Sequence, residues 1–242
     1  MNKKKFGLII VMILLLAILG FVIWASFPLG PSQVAKDSLV SNDKVTVEIG
    51  DFITFTPTMS TPTTGLIFYP GGHVAEESYA PLAQLIAAQG FFVIIVPMPL
   101  NLAVFSPNKA SDVIAKYPSI TTWAISGHSL GGSMAASFIY NNPGVVSALY
   151  LLASYPANSN NISSQAIQVL TIYGTNDQVL SVSINDTLSL LPSTTQVIPI
   201  KGGIHAYFGN YGPQPGDGKA TISREQQQNI TSTAIVISLQ NL

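Results

Sequence analysis

The chain has 242 residues, the length of one domain with a sizeable core once an apolar leader is set aside. Apolar residues make up 48% and charged residues only 9%, with 10 Lys and Arg against 11 Asp and Glu. A surface so poor in charge must be covered by Ser, Thr, Asn and Gln, and it offers no basic stripe for the phosphates of a nucleic acid. The absence of cysteine excludes disulfides, a thiolate nucleophile and a Cys-ligated metal.

The first element is apolar. No residue from Phe6 to Phe27 is charged, and at about 1.5 Å per residue a helix over that run crosses the ~30 Å hydrocarbon core of a bilayer. Residues 1–27 are therefore expected to anchor the chain in the cell membrane by one pass. Lys3, Lys4 and Lys5 precede the run, and the cytoplasmic bias of cations places everything after Pro28 outside. A cleaved secretory signal is the competing reading. Its apolar core runs about 7–15 residues and ends on small residues, whereas this run is longer and carries Ile23 ahead of Trp24 and Ala25. Residues 28–42, with Pro, Gly, Ser and scattered charge, read as a linker, and residues 43–242 as the globular body.

Along the body, β-rich apolar runs alternate with segments of helical period, which predicts an α/β fold with a mostly parallel, doubly wound sheet. Strands are expected at residues 45–55 (a hairpin turning at Gly50 and Asp51), 66–69, 91–96, 122–126, 148–152, 169–173 and 196–200. Helices are expected at 79–89, 110–116, 130–141, 182–191 and 224–239.

Chemistry enters first at LIFYPGGHV, a strand followed by Gly71, Gly72 and His73. Hydrolases with such a loop offer one of its backbone N–H groups to a developing oxyanion, and either Gly72 or His73 could donate. His73 could equally be a loop residue over the pocket rim. The next signal is TTWAISGHSLGGSMAASFIY, an apolar strand running through Gly127-His128-Ser129-Leu130-Gly131 into a small-faced helix. A G-x-S-x-G match in that context is a nucleophile elbow, with Ser129 as nucleophile and the Leu130 amide as the second oxyanion donor. A glycine-rich turn with an incidental serine is the bland alternative.

A serine hydroxyl needs a base, and the chain has 3 histidines. His128 adjoins the nucleophile and His73 lies far upstream, which leaves His205, just beyond the last predicted strand. In hydrolases built on such an elbow the acid lies between nucleophile and histidine. Asp177 and Asp186 are the acidic residues in that interval. Asp177 ends a strand, where catalytic groups gather, while Asp186 falls in a helical stretch and within a glycosylation sequon, so Asp177 is the choice. An ordinary helix cap would be its structural role.

Together these segments resemble the α/β-hydrolase superfamily over nearly the whole chain after residue 42. The tail GGIHAYFGNYGPQPGDGKATISREQQQ is similar to that of a membrane-anchored bacterial and archaeal group related to dienelactone hydrolases. The resemblance implies the same three catalytic residues, no cofactor, no metal, and a structural role for Asp217. The group often carries a polar residue where this chain has Ile204. The expected activity is cleavage of a small ester-like substrate through an acyl-enzyme. An acyltransferase, an amidase or a non-catalytic surface binding module is the alternative. The connection from Ser154 to Gln165 is too short for a large helical lid, which favours small or exposed esters. Asn161, Asn185 and Asn229 begin N-x-S/T sequons, consistent with external exposure in a glycosylating organism, though chance would supply as many in so Ser-, Thr- and Asn-rich a chain.

Overall fold

The computed structural model describes residues 3–242; residues 1 and 2 of the expected anchor lie outside the described residues. Helix α1 (Lys3–Ala25) is apolar on all sides and stands clear of the body, with Leu8, Leu15 and Ile18 all exposed. Helices that are apolar all round belong in a core or in lipid, and this one is not in the core. Its segment Lys4–Ala25 is long and apolar enough to cross a membrane.

Residues 28–42 lie along the body. Leu29 bridges to Val74 and Pro31 to Tyr211. The short helix α2 (Gln33–Asp37) is capped by Ser32 Oγ, which accepts from Ala35 N–H. Gln84 Nε2 donates to the carbonyls of Ser38 and Val40.

The sheet follows. A hairpin of β1 (Val45–Ile49) and β2 (Ile53–Pro57) leads to β3 (Thr64–Tyr69), α3 (Ala80–Ala87), β4 (Phe92–Ile95), α4 (Ala110–Lys116) and β5 (Thr122–His128). Then come α5 (Leu130–Asn141), β6 (Ala148–Leu152), β7 (Gln168–Gly174), α6 (Ile184–Thr187), β8 (Gln196–Ile200) and α7 (Arg224–Leu239). The spatial order is β1-β2-β4-β3-β5-β6-β7-β8. The pairings from β4 to β8 are parallel, and those of β2 with β1 and β4 antiparallel.

The two faces of the sheet divide the strands' side chains by their period of two. Leu66, Phe68, Val93, Ile95, Tyr150, Leu152, Leu170 and Ile172 pack with Leu82 and Ile86 of α3 and Ile235 and Leu239 of α7. Their alternating neighbours Ile67, Tyr69, Ile94, Ile125, Leu149, Leu151 and Val169 pack with Val113 of α4 and Phe138 and Ile139 of α5. Coverage on both faces is why the central strands read as largely apolar runs. Pro199 sits in β8, an edge strand where its missing N–H removes no ladder bond to a further neighbour.

One expectation is corrected. The helix predicted at 182–191 shrinks to α6 and a 3₁₀ turn at Leu188–Leu190. Ser183, Asn185, Asp186 and Thr187 favour local side-chain bonds over a helix interior, and Leu191 is drawn into the core.

Because β3, β5, β7 and β8 run parallel, their carboxyl ends deliver Gly71–His73, Ser129, Asp177 and His205 to one rim of the sheet.

Candidate active site

Ser129 occupies the sharp turn between β5 and α5 with φ 53° and ψ −124°. A left-handed non-glycine residue of this sort costs on the order of 1–3 kcal/mol and persists only where its surroundings hold it. Here Ser129 N–H donates to Leu152 O at 3.0 Å, and Ser154 Oγ donates to Ser129 O at 2.6 Å. Glycines flank the turn for steric reasons. A Cβ on Gly127 would strike the Gly131 backbone, and one on Gly131 would strike the carbonyls of Tyr69 and Pro70. The helix start therefore lies against the end of β3.

His205 opens a 3₁₀ turn (His205–Phe208) after β8. Its Nδ1–H donates to Asp177 Oδ2 at 2.8 Å, with the two side chains 1% and 2% exposed. The other carboxylate oxygen of Asp177 accepts from Val179 and Leu180 N–H at 2.8 and 3.0 Å. Asp177 thus presents one orientation, which puts the imidazole proton on Nδ1 and leaves a lone pair on Nε2. His205 Nε2 is buried and has no hydrogen-bond partner among the described residues. His205 is one of the residues lining a cavity of about 260 Å³, together with Ser129, Leu130, Ser154, Tyr155 and Leu180, among others. Ser129 and His205 therefore line one cavity, and no hydrogen bond joins Ser129 Oγ to His205 Nε2. The rival acid, Asp186, is exposed on α6.

The turn carrying His205 is held from beneath. Asp217 accepts from His205 N–H at 3.2 Å and from Ala206 N–H at 2.8 Å, capping the turn. Gln227, fully buried on α7, accepts from Ile204 N–H at 3.0 Å and donates to Ile204 O at 2.8 Å. Arg224 donates to the carbonyls of Gly209 and Tyr211 at 2.8 Å each.

The loop after β3 is organised by groups that sequence reasoning did not single out. Gly71 N–H donates to Tyr79 Oη at 2.9 Å, and Tyr79 Oη in turn bonds His128 Nδ1 at 2.9 Å. The His128 ring lies 4.6 Å from that of His205. Burial first, and then the neighbouring His205, hold the His128 imidazole well below its usual pKa, so it is neutral at physiological pH. Burial likewise raises the Tyr79 phenol, which stays protonated. With His128 neutral, Tyr79 donates to its Nδ1 and accepts from Gly71. The clue in the sequence was a tyrosine at the head of the helix that follows the GGH loop.

Of the two amides left open at this loop, that of His73 is already engaged: His73 N–H donates to Asn101 O at 2.8 Å. The His73 ring stacks on Trp24 at 4.0 Å, and its Nε2–H donates to Trp24 O at 2.8 Å. His73 is thereby removed as an amide donor, and its side chain faces α1. The amides of Gly72 and Leu130 have no acceptor among the described residues, and Leu130 lines the cavity. A Cβ on Gly72 would lie 3.0 Å from Leu130 Cδ2, so the two amides belong to one locality. Among the described residues, no group of at least 3 His, Cys, Asp or Glu gathers as metal ligands.

The sequence profile of the alpha/beta hydrolase family matches residues 65–229. Among curated proteins none matches the chain in sequence. Solved structures share the fold at low identity. A predicted CIB-like hydrolase from Thermoplasma acidophilum is 14% identical with TM-score 0.57, covering 79% of this chain and 98% of its own. A thermophilic esterase from Thermogutta terrifontis, solved with butyrate bound, is 12% identical with TM-score 0.54, covering 80% and 94%. An alpha/beta hydrolase enzyme from a sediment metagenome of the Mar Chica lagoon is 16% identical with TM-score 0.53, covering 68% and 90%.

Proposed function

The chain belongs to the alpha/beta hydrolase family, and on that premise we propose that it is a serine hydrolase that cleaves ester-type acyl substrates with Ser129, His205 and Asp177. The observation that carries the reading is His205 itself. One ring nitrogen donates to a buried, twice-anchored carboxylate, while the other is unpaired, and the residue lines the same cavity as Ser129.

Rotation of the Ser129 hydroxyl toward Nε2 completes the relay, as unliganded sites often require. In the first half-reaction Nε2 takes the Ser129 proton as Oγ bonds to the acyl carbon, and the carbonyl oxygen gains charge. Gly72 and Leu130 N–H stabilise that oxyanion. Nε2–H then protonates the departing alcohol oxygen as its bond to carbon breaks. In the second half-reaction water repeats the steps, releasing the acid and returning the proton to Ser129. Asp177 keeps the proton on Nδ1 and stabilises the transient imidazolium, whose formation beside a neutral His128 meets no like charge.

The cavity of about 260 Å³ supports a short acyl group. We also propose that α1 is an uncleaved anchor, with Lys4 and Lys5 at its cytoplasmic end and the body outside.

A fluorophosphonate probe tests the reading. The wild type is expected to label and Ser129→Ala not to, with kcat reduced by about 10⁴–10⁶. An unlabelled wild type would leave a surface binding module. Labelling with transfer to an added alcohol or amine in place of hydrolysis would mark an acyltransferase.

A further inference from the structure

From the way α1 joins the body we infer that the mouth of this site is fixed at the bilayer surface and that its substrates are short-acyl esters embedded in that surface. This rests on the hydrolase reading above.

The joint between α1 and the body is made by specific hydrogen bonds and a ring stack. A helix end leaves its last carbonyls without intrahelical partners, and here the body supplies them. His73 Nε2–H donates to Trp24 O at 2.8 Å, and Asn101 Nδ2 donates to Ala25 O at 2.9 Å, with Ala25 fully buried. Trp24 stacks on His73. The next turn of chain is pinned as well, Leu29 N–H donating to His73 O and Ala75 N–H to Leu29 O. Wherever α1 sits in a membrane, the loop at His73 is held against its end.

The loop at residues 99–105 reaches deeper. Phe105 packs edge-on against Phe21 of α1 at 6.2 Å, and Phe21 lies four residues inside the helix end, about 6 Å along its axis. Phe105 therefore sits at the depth of the last membrane turn. Val104 and Phe105 are 50% and 52% exposed, and Phe27 just past the end of α1 is 75% exposed. In water these exposed apolar groups gain nothing. Seated among lipid headgroups and upper acyl chains they continue the apolar surface of α1, with Trp24 at the interfacial level. Leu100 and Asn101 are both left-handed, at φ 54° and 56°, so the loop is bent against its preference to reach this position.

The same loop meets the site. Leu102 Cδ2 would lie 3.5 Å from a Cβ on Gly72, the proposed oxyanion donor. Two residues thus separate Phe105 from a side chain that packs beside Gly72. On the short-acyl reading above, the rest of a larger substrate lies outside the cavity, and the exposed Val104 and Phe105 offer it an apolar surface. Esters of membrane-resident alcohols carrying a short acyl group fit that arrangement.

The test uses the full chain in phosphatidylcholine vesicles. Because the chain lacks cysteine, Val104→Cys and Val145→Cys can each carry one environment-sensitive fluorophore. Val145 is comparably exposed, at 45%, but lies past the far end of α5. Brominated lipids are expected to quench the label at 104 and spare that at 145; equal insensitivity at both positions overturns the seating. In the second arm, the double variant Val104→Asp with Phe105→Asp is assayed on p-nitrophenyl acetate in solution and on hexadecyl acetate in the vesicles. The expected result is near-wild-type turnover of the soluble ester and a loss of roughly tenfold on the embedded one. An equal loss on both, or none on the embedded ester, overturns the substrate class. Wild-type protein that cleaves neither ester while the label at 104 is quenched overturns the hydrolase reading and leaves the seating in place.

Discussion

The two sides of the cavity are built differently. The side that carries His205 is held by its own stretch of chain: Asp217 caps the turn, and Gln227 and Arg224 brace it from α7. The side that carries Gly72 is held by groups gathered from afar, Tyr79 from the head of α3, Asn101 from the loop after β4, and Trp24 from α1. The His205 side is a local polar scaffold in which Asp217, Gln227 and Arg224 pair with the backbone of the turn, leaving His205 Nε2 open. The Gly72 side depends on the docking of separate elements, the end of α1 among them. His128 sits between, bonded to Tyr79 and packed against the His205 ring.

The sharpest way to break this division is at the acid. Asp177→Asn keeps the shape but favours the wrong imidazole tautomer, and kcat is expected to fall by about 10⁴ in an ester-hydrolysis assay. A loss under tenfold would remove Asp177 from the relay.

Gln227→Leu probes the local scaffold. It leaves the buried N–H and C=O of Ile204 unpaired, a loss of about 2–3 kcal/mol. For a chain of this size the melting temperature is expected to drop by roughly 4–12 °C in calorimetry. An unchanged melting temperature would show that water replaces the side chain.

Tyr79→Phe probes the distant scaffold. Gly71 N–H and His128 both lose their partner, and the loop carrying Gly72 loosens. The expected result is kcat lower by about tenfold with KM unchanged, since the oxyanion forms only in the transition state. A shift in KM alone would place the loop in substrate binding.

The smallest effect is on pH. In the unfolded chain His128 titrates near 6.5, while in the fold its pKa is lowered. The unfolded state thus binds the proton first, so the contribution is complete above pH 6.5 and is lost as pH falls below it, by at most about 1.4 kcal/mol per unit. Melting temperatures between pH 7 and 5 are expected to decline, with a shallower slope in His128→Gln. Identical slopes would assign the acid sensitivity to other groups.

Much of the fold was legible in the chain because its signals are local. The unbroken apolar run at residues 148–152 and the largely apolar ones at 122–126 and 169–173 announce doubly covered strands, and the spacing of Ala135, Ala136, Phe138 and Ile139 announces the core face of α5. Gly127 and Gly131 bracket Ser129 within five residues. Chain order and the shortage of acidic groups pointed to Asp177 and His205, and these side chains do meet. The polar tract at 182–191 misled, since its sparse apolar residues fit a helical period without the propensity to extend it.

Other features depend on partners far apart in the chain, where no periodicity operates. Tyr79 meets His128 across 49 positions and Asn101 reaches Ala25 across 76. Nothing at residue 73 indicates that its amide is already taken, and nothing in 28–42 distinguishes a slack tether from a strap bonded along the body. Composition and short-range pattern were enough for the strands, the elbow and the apolar helix, because each is decided by neighbours a few residues away. Which amides stay open, which histidine remains neutral and how the apolar helix is mounted are settled only when the sheet brings distant segments within hydrogen-bonding reach.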